Sequence, residues 1–200
     1  MSSFSSYDGT RLAYTEVGSG PPLLCVPGGP GRASAYLEDL AGLSADRTLV
    51  LLDNRATGRS EVPADPSTLR FDRLADDVEA LRAHLGLESV DVLGHSAGTV
   101  VVQCWASAHP ERVRSLALVT PSGGLQGSNR TDVAEIVATR AGEPWYADAA
   151  EALAGLATAS RSEQQMLWRA IRPLMYGSWD ELVAGYTKSA WTVPVPETAL

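Results

Sequence analysis

The chain has 200 residues, of which 44% are hydrophobic and 20% charged, and its formal net charge is −8. This is the balance of an ordinary globular domain, and the length allows one domain or a domain with an appendage. So acidic a chain is a poor candidate for binding nucleic acid or an anionic membrane by charge. No apolar run reaches the ~18 residues of a membrane span. The N-terminus has no signal-peptide pattern, so we expect a cytoplasmic protein.

The first predicted element is a hairpin. The pair Asp8-Gly9 lies between two alternating segments of the stretch FSSYDGTRLAYTEVG. This arrangement is typical of a β-hairpin turn. We expect the hairpin to lie at the edge of a mostly parallel sheet.

Apolar runs of strand length alternate with helix-like segments in the first 120 residues. The runs are PLLCV (22–26), TLVLL (48–52), VDVLG (90–94) and SLALVT (115–120). Runs that are apolar on both faces predict buried parallel strands. The helix-like segments cover residues 33–43, 71–85 and 97–109. This alternation predicts βαβ units and a parallel sheet.

The helix predicted at 71–85 has an apolar stripe at steps of three and four, formed by Phe71, Leu74, Val78, Leu81 and Leu85. Asp72, Asp76 and Asp77 supply negative charge to its N-terminal half, which favours the helix dipole. The two cysteines, Cys25 and Cys104, lie in apolar runs. We expect both to be buried free thiols, since two cysteines make neither a disulfide framework nor a metal site.

After residue 123 the pattern changes, because residues 124–190 contain no strand-like run. Ser160 and Glu163 have the spacing of a capping box for a helix that ends near Pro173. We therefore divide the chain into an α/β core at residues 1–123 and a helical region at 124–200.

The stretch GHSAG at residues 94–98 is the first candidate for chemistry. It stands between a predicted strand and a predicted helix, and glycines remove side chains from a turn where they would clash. A serine in such a turn projects its hydroxyl from a strained elbow above a helix N-terminus. Ser96 is therefore the candidate nucleophile. The alternative is a glycine-rich turn with an unreactive serine.

The stretch CVPGGPG at residues 25–31 ends the first buried strand. Gly28 and Gly29 would let the backbone approach a substrate carbonyl closely, as an oxyanion hole requires. We expect the donors to be the backbone N–H groups of Gly29 and Ala97. The alternative is a plain Pro/Gly turn.

The stretch DNRATGRS at residues 53–60 directly follows the second buried strand. We interpret Asp53 and Arg55 as structural residues that fix this loop near the sheet edge by hydrogen bonds and an ion pair. A direct chemical role is the alternative.

In this order the three motifs resemble those of the α/β-hydrolases, most of all the proline iminopeptidase branch. Members of that branch carry an HGGPG-type loop and a D-x-R-G-x-G-x-S loop. The resemblance covers residues 5–123 well and extends more loosely, as the family's cap, to residue 190. This sequence departs from the pattern with Pro27 in place of a histidine, Ala56 in place of a glycine, and GHSAG in place of an elbow like GGSWG. The departures bear on peptidase specificity more than on hydrolase chemistry.

The resemblance implies an α/β-hydrolase fold with an N-terminal hairpin and a helical cap. It implies a serine hydrolase that cleaves an ester, amide or peptide bond, including N-terminal aminoacyl substrates. The substrate would be a small molecule or a short peptide, and the reaction would need neither a cofactor nor a metal ion. Iminopeptidases bind the substrate amine through acidic cap residues. The candidates here are Glu135, Glu143, Glu163 and Glu181, and none is assigned.

The triad histidine and acid have no evident positions. In this fold the chain order is serine, acid, histidine. His109 lies at the far end of the helix that starts at the elbow, His95 lies inside the elbow with its side chain expected to point away, and His84 ends the preceding helix. The downstream aspartates Asp132, Asp148 and Asp180 all lie in the helical region rather than after a strand.

We therefore expect the chain to be the N-terminal core and cap of a longer hydrolase, or a truncated relative that lacks the C-terminal strands. Two hypotheses remain open at this point. The first is a serine hydrolase completed by groups outside this sequence. The second is a non-catalytic, hydrolase-like module that binds a ligand or partner. The sequence leaves the substrate and the oligomeric state open.

Overall fold

The structure is a computed structural model that describes residues 2–29, 32–121 and 131–181. The described residues form two compact units, one within residues 2–121 and one within residues 131–181. The predicted helical region at 124–200 lies partly outside the described residues, since 122–130 and 182–200 are not among them.

The first unit contains one six-stranded sheet. Its strands are β1 (Ser2–Ser5), β2 (Arg11–Val17), β3 (Pro22–Val26), β4 (Thr48–Leu52), β5 (Val90–His95) and β6 (Val113–Val119). The sheet order is β1-β2-β4-β3-β5-β6. The hairpin strands β1 and β2 are antiparallel to their neighbours, whereas β4, β3, β5 and β6 are parallel. The predicted mostly parallel sheet with an N-terminal hairpin is confirmed.

The strand order reverses at β3, and this reversal positions the site. After β3 the chain forms β4 on one side, and β5 then pairs on the other side of β3. In open α/β sheets, ligands bind in the crevice beyond the carboxyl ends of the strands at such a switch point. The chain that follows β3 and the chain that follows β5 both leave the sheet at this point.

Two helices, α1 (Phe71–His84) and α2 (Gly98–Ala108), contribute to the larger core of the first unit. That core includes Val78, Leu81, Val92, Val101 and Trp105, and each is almost completely buried. A smaller apolar cluster contains Leu23, Cys25, Leu37, Leu49, Leu51 and Leu93. Alternate residues of β3, β4 and β5 supply the two clusters, which explains why these runs are apolar on both faces.

The helix predicted at residues 33–43 is wrong. The chain there forms only short 3₁₀ turns at Ser34–Leu37 and Leu43–Ala45. Glu38, Leu40 and Ala41 all have positive φ, which a right-handed helix does not allow. Tertiary hydrogen bonds at Ser34 and Tyr36, described below, hold this segment in another conformation.

The thiols of Cys25 and Cys104 differ in burial. Cys25 is completely buried, as predicted, and burial raises its pKa to about 12. Cys104 is only partly buried, so the expectation of a buried thiol is wrong there. It lies on α2, whose fully buried positions include Val101, Val102 and Trp105.

β6 ends the sheet and is more exposed than the other parallel strands. It pairs with β5 alone among the described strands, and Leu118 and Val119 remain 39% and 40% exposed. An apolar strand at a sheet edge offers unpaired backbone groups to another strand.

The regular elements of the second unit are all helical among its described residues. It contains α3 (Thr131–Ala138), α4 (Tyr146–Gly155) and α5 (Arg161–Ala170), followed by a 3₁₀ turn at Arg172–Met175. The predicted capping box begins α5, with both hydrogen bonds between Ser160 and Glu163 present. Within the described part of the chain, the helices are too short or too polar to cross a membrane.

Candidate active site

Ser96 stands at a strained turn between β5 and α2. Its φ is +52°, in the left-handed region, which costs a non-glycine residue roughly 1–2 kcal/mol. The Ser96 N–H donates to the carbonyl of Val119 (2.9 Å), and its own carbonyl accepts from the N–H and the hydroxyl of Thr99 (3.0 and 2.6 Å). These hydrogen bonds hold Ser96 in its strained backbone conformation, which would not be stable without support from the surrounding structure.

The glycines on both sides of Ser96 are sterically required. A Cβ on Gly94 would lie 2.6 Å from the backbone oxygen of Gly98. A Cβ on Gly98 would lie 2.5 Å from the backbone oxygens of Val26 and Pro27. Real side chains do not make such contacts, so the elbow packs tightly against the end of β3 because both positions lack a side chain.

The structure brings the loop after β3 directly against Ser96. A Cβ on Gly28 would lie 2.6 Å from the Cβ of Ser96 and 2.5 Å from the backbone oxygen of His95. The next residue, Gly29, has a φ of +74°, which favours glycine. The described part of the first motif, residues 25–29, therefore meets the GHSAG turn at one point of the sheet edge.

Two backbone N–H groups near this point belong to Gly29 and Ala97. Within the described residues, neither the N–H of Gly29 nor that of Ala97 has a hydrogen-bond acceptor. Ala97 is also the N-cap of α2, where the helix presents the positive end of its dipole. These are the two groups that the sequence predicts as oxyanion donors.

The N–H of Gly28, by contrast, is already engaged. It donates to the hydroxyl oxygen of Tyr36 (2.7 Å), and that oxygen lies 2.7 Å from Nδ1 of His95. Since the amide can only donate, the Tyr36 O–H is free to donate to Nδ1 of a neutral His95 ring. Burial and the nearby positive charge of Arg32 lower the pKa of His95, which favours this neutral form. Sequence reasoning missed Tyr36, because nothing in the stretch SAYLED marks it.

The three histidines of the sequence make other contacts. His95 faces Tyr36, and its side chain is tied to Tyr36 and not to Ser96. His84 stacks on Phe4, with ring centroids 5.5 Å apart. His109 ends α2, and that 11-residue helix spans roughly 16 Å from the elbow.

The acidic residues considered from the sequence belong to the second unit. Asp148 lies in the first turn of α4, Asp180 precedes the end of the described residues, and the side chain of Asp132 is outside them. Glu163 is held in the capping box, and Glu143 forms a 3.5 Å ion pair with Arg140. Glu135 and Glu181 are exposed. None of these observations assigns a triad acid or an amine-binding residue.

Asp53 connects the loop after β4 to the chain that follows β3. Its Oδ1 accepts from the N–H and the hydroxyl of Ser34 (2.9 and 2.7 Å), and its Oδ2 accepts from the N–H of Arg59 (3.2 Å). The Ser60 hydroxyl donates to the backbone oxygen of Asp53 (2.5 Å). These contacts support the structural interpretation of Asp53.

Arg55 has a different set of hydrogen-bond partners from Asp53. It donates to both carboxylate oxygens of Asp77 (2.7 and 2.5 Å), to Asp8 (2.7 Å) and to the hydroxyl of Thr68 (2.8 Å). Burial opposes the charge of Arg55, but the hydrogen bonds to Asp77 and Asp8 outweigh it and raise the pKa of Arg55. Burial raises the pKa of Asp77, and Arg55 and Ser6 oppose this by donating to its carboxylate.

Asp77 also corrects the sequence interpretation of α1. It is completely buried and paired with Arg55, so it is not one of the solvated charges that favour the helix dipole. The sequence did contain a sign that Asp77 is buried, since it follows Leu74 by three residues and precedes Leu81 by four. This spacing places it on the apolar stripe.

A cavity of about 500 Å³ lies beside the loop after β4. Ser34, Asp53, Gly58 and Arg59 are among its lining residues, and Ser96 is not. We therefore do not assign substrate binding to this cavity.

Comparison with known proteins agrees with the geometry. The family described as the alpha/beta hydrolase fold matches residues 21–166. The chain is 32% identical over 121 residues to a proline iminopeptidase of Heyndrickxia coagulans, covering 59% of this chain and 42% of that protein. It is 34% identical over 116 residues to the human (lyso)-N-acylphosphatidylethanolamine lipase, covering 56% of this chain and 34% of that protein.

A solved structure is similar as well. The proline iminopeptidase-related protein from Thermus thermophilus matches with a TM-score of 0.54 and 30% identity, over 60% of this chain and 44% of that one. The alignments thus span less than half the length of these relatives. The family match over residues 21–166 and the sheet topology show that the chain belongs to the α/β-hydrolase family, and proline iminopeptidases are among its relatives.

Proposed function

We propose that this chain carries the nucleophile and the oxyanion site of a serine hydrolase. Ser96 is the nucleophile, and the backbone N–H groups of Gly29 and Ala97 are the oxyanion donors. One observation carries the proposal: Ser96 has left-handed backbone geometry, and the backbone of Gly28 packs directly against its Cβ. Strained backbone clusters at active sites, and at Ser96 the strain coincides with close contact to the glycine loop after β3.

The reaction proceeds in two steps. The Ser96 Oγ forms a bond to the substrate carbonyl carbon while its proton passes to a base, and the electron pair of the C=O bond moves to the oxygen. The N–H groups of Gly29 and Ala97 hold that oxyanion, and each such donor supplies about 3–4 kcal/mol in comparable sites. Collapse expels the protonated alcohol or amine. Water then cleaves the acyl-serine, which releases the acid and restores the hydroxyl.

The proposed substrates are esters or amides, including short peptides with a free N-terminus. Support for peptides comes from the similarity to a proline iminopeptidase, and support for esters comes from the similarity to a lipase. Pro27, in place of the histidine of the HGGPG-type loop, and the GHSAG elbow weigh toward esters or simple amides over iminopeptidase substrates.

The base and the acid of the triad are not assigned to residues of this chain. The contacts of His84, His95 and His109 place their rings against Phe4, Tyr36 and Trp105. General-base help contributes typically 10²–10⁴-fold. We therefore expect Ser96 in this chain to react slowly with substrates, and more readily with an activated phosphonylating reagent that relies on the oxyanion site.

The test is covalent labelling of the purified 200-residue chain with an alkyl fluorophosphonate, followed by intact mass and peptide mapping. We expect one adduct, on Ser96, and none in Ser96→Ala. The matched control is Ser3→Ala, which removes an exposed hydroxyl on β1 and should label like the unmodified chain. An adduct spread over several serines, or no adduct at all, would exclude Ser96 as an activated nucleophile.

A second candidate is a non-catalytic module that binds a carbonyl- or carboxylate-containing ligand. It is favoured by the placement of all three histidine rings in other contacts. The same experiment separates the two candidates. A chain that takes no label, yet shows saturable binding of an N-acyl amino acid by calorimetry, would be such a module.

A further inference from the structure

We propose that the Tyr36 hydroxyl, held by His95, is the positioning group that sets the oxyanion loop against Ser96. The inference rests on the proposed function, since it assigns a role within the same site. It is carried by one juxtaposition: a single hydroxyl oxygen lies 2.7 Å from the N–H nitrogen of Gly28 and 2.7 Å from Nδ1 of His95.

The hydrogen bond from the Gly28 N–H to the Tyr36 hydroxyl orients the loop after β3. It fixes the plane of the peptide between Pro27 and Gly28, which is the peptide immediately before the one that carries the Gly29 N–H. Glycine is the residue whose backbone is least restricted by sterics. Two glycines in a row therefore need an external restraint if the second amide is to point at a fixed place. Tyr36 supplies that restraint from the 3₁₀ turn at Ser34–Leu37.

The hydrogen bond between His95 and Tyr36 orients the Tyr36 hydroxyl. His95 is the last residue of β5 and directly precedes Ser96, so its backbone position is set by the sheet and by the elbow. Its Nδ1 accepts a hydrogen bond from the Tyr36 O–H, which leaves the lone pairs of the Tyr36 oxygen for the Gly28 N–H. The loop after β3 is thereby connected to the nucleophile turn by hydrogen bonds as well as by the contact between Gly28 and Ser96.

Further contacts hold the tyrosine ring. The guanidinium carbon of Arg32 lies 3.9 Å from the centroid of the Tyr36 ring, a cation–π geometry. The ring of His95 lies 5.4 Å from that of Tyr36. The neighbouring residue Ser34 is tied to Asp53 by two hydrogen bonds. The hydroxyl therefore stands on a segment that is anchored to both β4 and β5.

The experiment compares Tyr36→Phe with Tyr7→Phe, which removes a hydroxyl from an exposed tyrosine in the same unit. Two quantities are measured for each variant: the rate of Ser96 phosphonylation over a range of fluorophosphonate concentrations, and amide hydrogen exchange at Gly28 and Gly29 by NMR. We expect Tyr36→Phe to lower the maximal labelling rate about 10- to 100-fold, with little change in the half-saturating concentration. Exchange at Gly28 should accelerate in Tyr36→Phe, and Tyr7→Phe should change neither quantity.

A rescue pair tests the role of His95. Asn places a side-chain oxygen where His places Nδ1, whereas Leu places a methyl group there. We expect His95→Asn to label at least about fivefold faster than His95→Leu, because only Asn keeps an acceptor for the Tyr36 hydroxyl. The Nδ1 ¹⁵N chemical shift of the unmodified chain should show the acceptor form of the ring, and Tyr36→Phe should change it.

Each result decides the proposal. Wild-type labelling by Tyr36→Phe would overturn it, and so would slower labelling with unchanged exchange at Gly28, because the hydroxyl would then act by another route. If the unmodified chain takes no label, the proposed function fails separately. Hydrogen exchange then decides the positioning role: faster exchange at Gly28 in Tyr36→Phe than in Tyr7→Phe supports it, and equal exchange at Gly28 overturns it.

Discussion

Arg55 and Asp77 form a doubly hydrogen-bonded ion pair inside the first unit, with N···O distances of 2.7 and 2.5 Å and no exposed side-chain surface on either residue. The pair joins the loop after β4 to the middle of α1, 22 residues away in the sequence. Replacement of a whole buried ion pair by apolar residues of the same volume often leaves the stability of the folded protein unchanged or raises it. Removal of one partner, by contrast, leaves an uncompensated buried charge and destabilises the fold.

We therefore predict that Asp77→Ala lowers the free energy of unfolding by about 3–5 kcal/mol. The matched control is Asp76→Ala, which removes a half-exposed partner of Arg73 on the same helix and should cost less than about 1 kcal/mol. Urea unfolding followed by circular dichroism measures both changes. The double variant Arg55→Met with Asp77→Leu should recover part of the loss. Equal effects of Asp77→Ala and Asp76→Ala would show that the buried pair is not important for stability.

Asp8, the second carboxylate on Arg55, should make stability depend on pH. Partial burial opposes its charge, but the hydrogen bonds from Arg55 and Thr10 outweigh this and lower the pKa of Asp8 from 3.8 to about 2. Between these values the unfolded chain binds a proton that the folded protein does not, so stability falls as the pH falls. Asp8→Asn should therefore be less stable than the unmodified chain above about pH 4, and the difference should shrink toward about pH 2. Urea unfolding from about pH 7 to about pH 3 tests this, and a difference that does not change with pH would contradict it.

Gly28→Ala should damage the site and the fold together. Its methyl group would lie 2.5 Å from the backbone oxygen of His95 and 2.6 Å from the Cβ of Ser96, so backbone must move. We expect a loss of about 1–3 kcal/mol in the free energy of unfolding and loss of fluorophosphonate labelling. The control is Gly142→Ala, where a Cβ meets no atom within 4 Å. Normal labelling of Gly28→Ala would show that the loop is not fitted to Ser96.

Ser96→Gly should separate stability from reactivity. At a φ of +52° a glycine avoids roughly 1–2 kcal/mol of strain, and it loses roughly 0.4–1 kcal/mol through the greater entropy of the unfolded chain. The net expectation is a variant about 0.5–1 kcal/mol more stable than Ser96→Ala, which keeps the strain. Both variants should be unlabelled. A Ser96→Gly variant less stable than Ser96→Ala would mean that the turn is not strained.

Ala56→Gly should stabilise the chain for the same reason. Ala56 has a φ of +62° at the position where the iminopeptidase-like motif has glycine. We expect a gain of up to about 1 kcal/mol, because relief of strain exceeds the added entropy of the unfolded state. The control is Ala75→Gly within α1, where glycine should cost about 1 kcal/mol. Thermal unfolding of the two variants should shift in opposite directions, and a common downward shift would refute the argument from strain.

The sequence by itself determined the elements whose signals are local. Short apolar runs located β3 to β6, and the Asp8-Gly9 pair located the hairpin. The spacing of Ser160 and Glu163 located the start of α5. GHSAG between a strand and a helix predicted the turn at Ser96, because glycines on both sides of a serine at that junction serve a sharp turn. These features depend on residues within a few positions of one another, so a linear pattern is sufficient to identify them.

Only the tertiary structure decided which distant polar groups meet. Tyr36 reaches Gly28 and His95, Ser34 reaches Asp53, and Arg55 reaches Asp77 and not Asp53. The segment 33–43 has helix-like composition, yet these long-range bonds and three left-handed residues keep it out of a helix. The physical reason is that a buried polar group must find a partner wherever the packed chain places one, and that place depends on the strand order. The switch of strand order at β3 brings the loop after β3 and the Ser96 turn to one edge, a relationship that no single segment of the sequence contains.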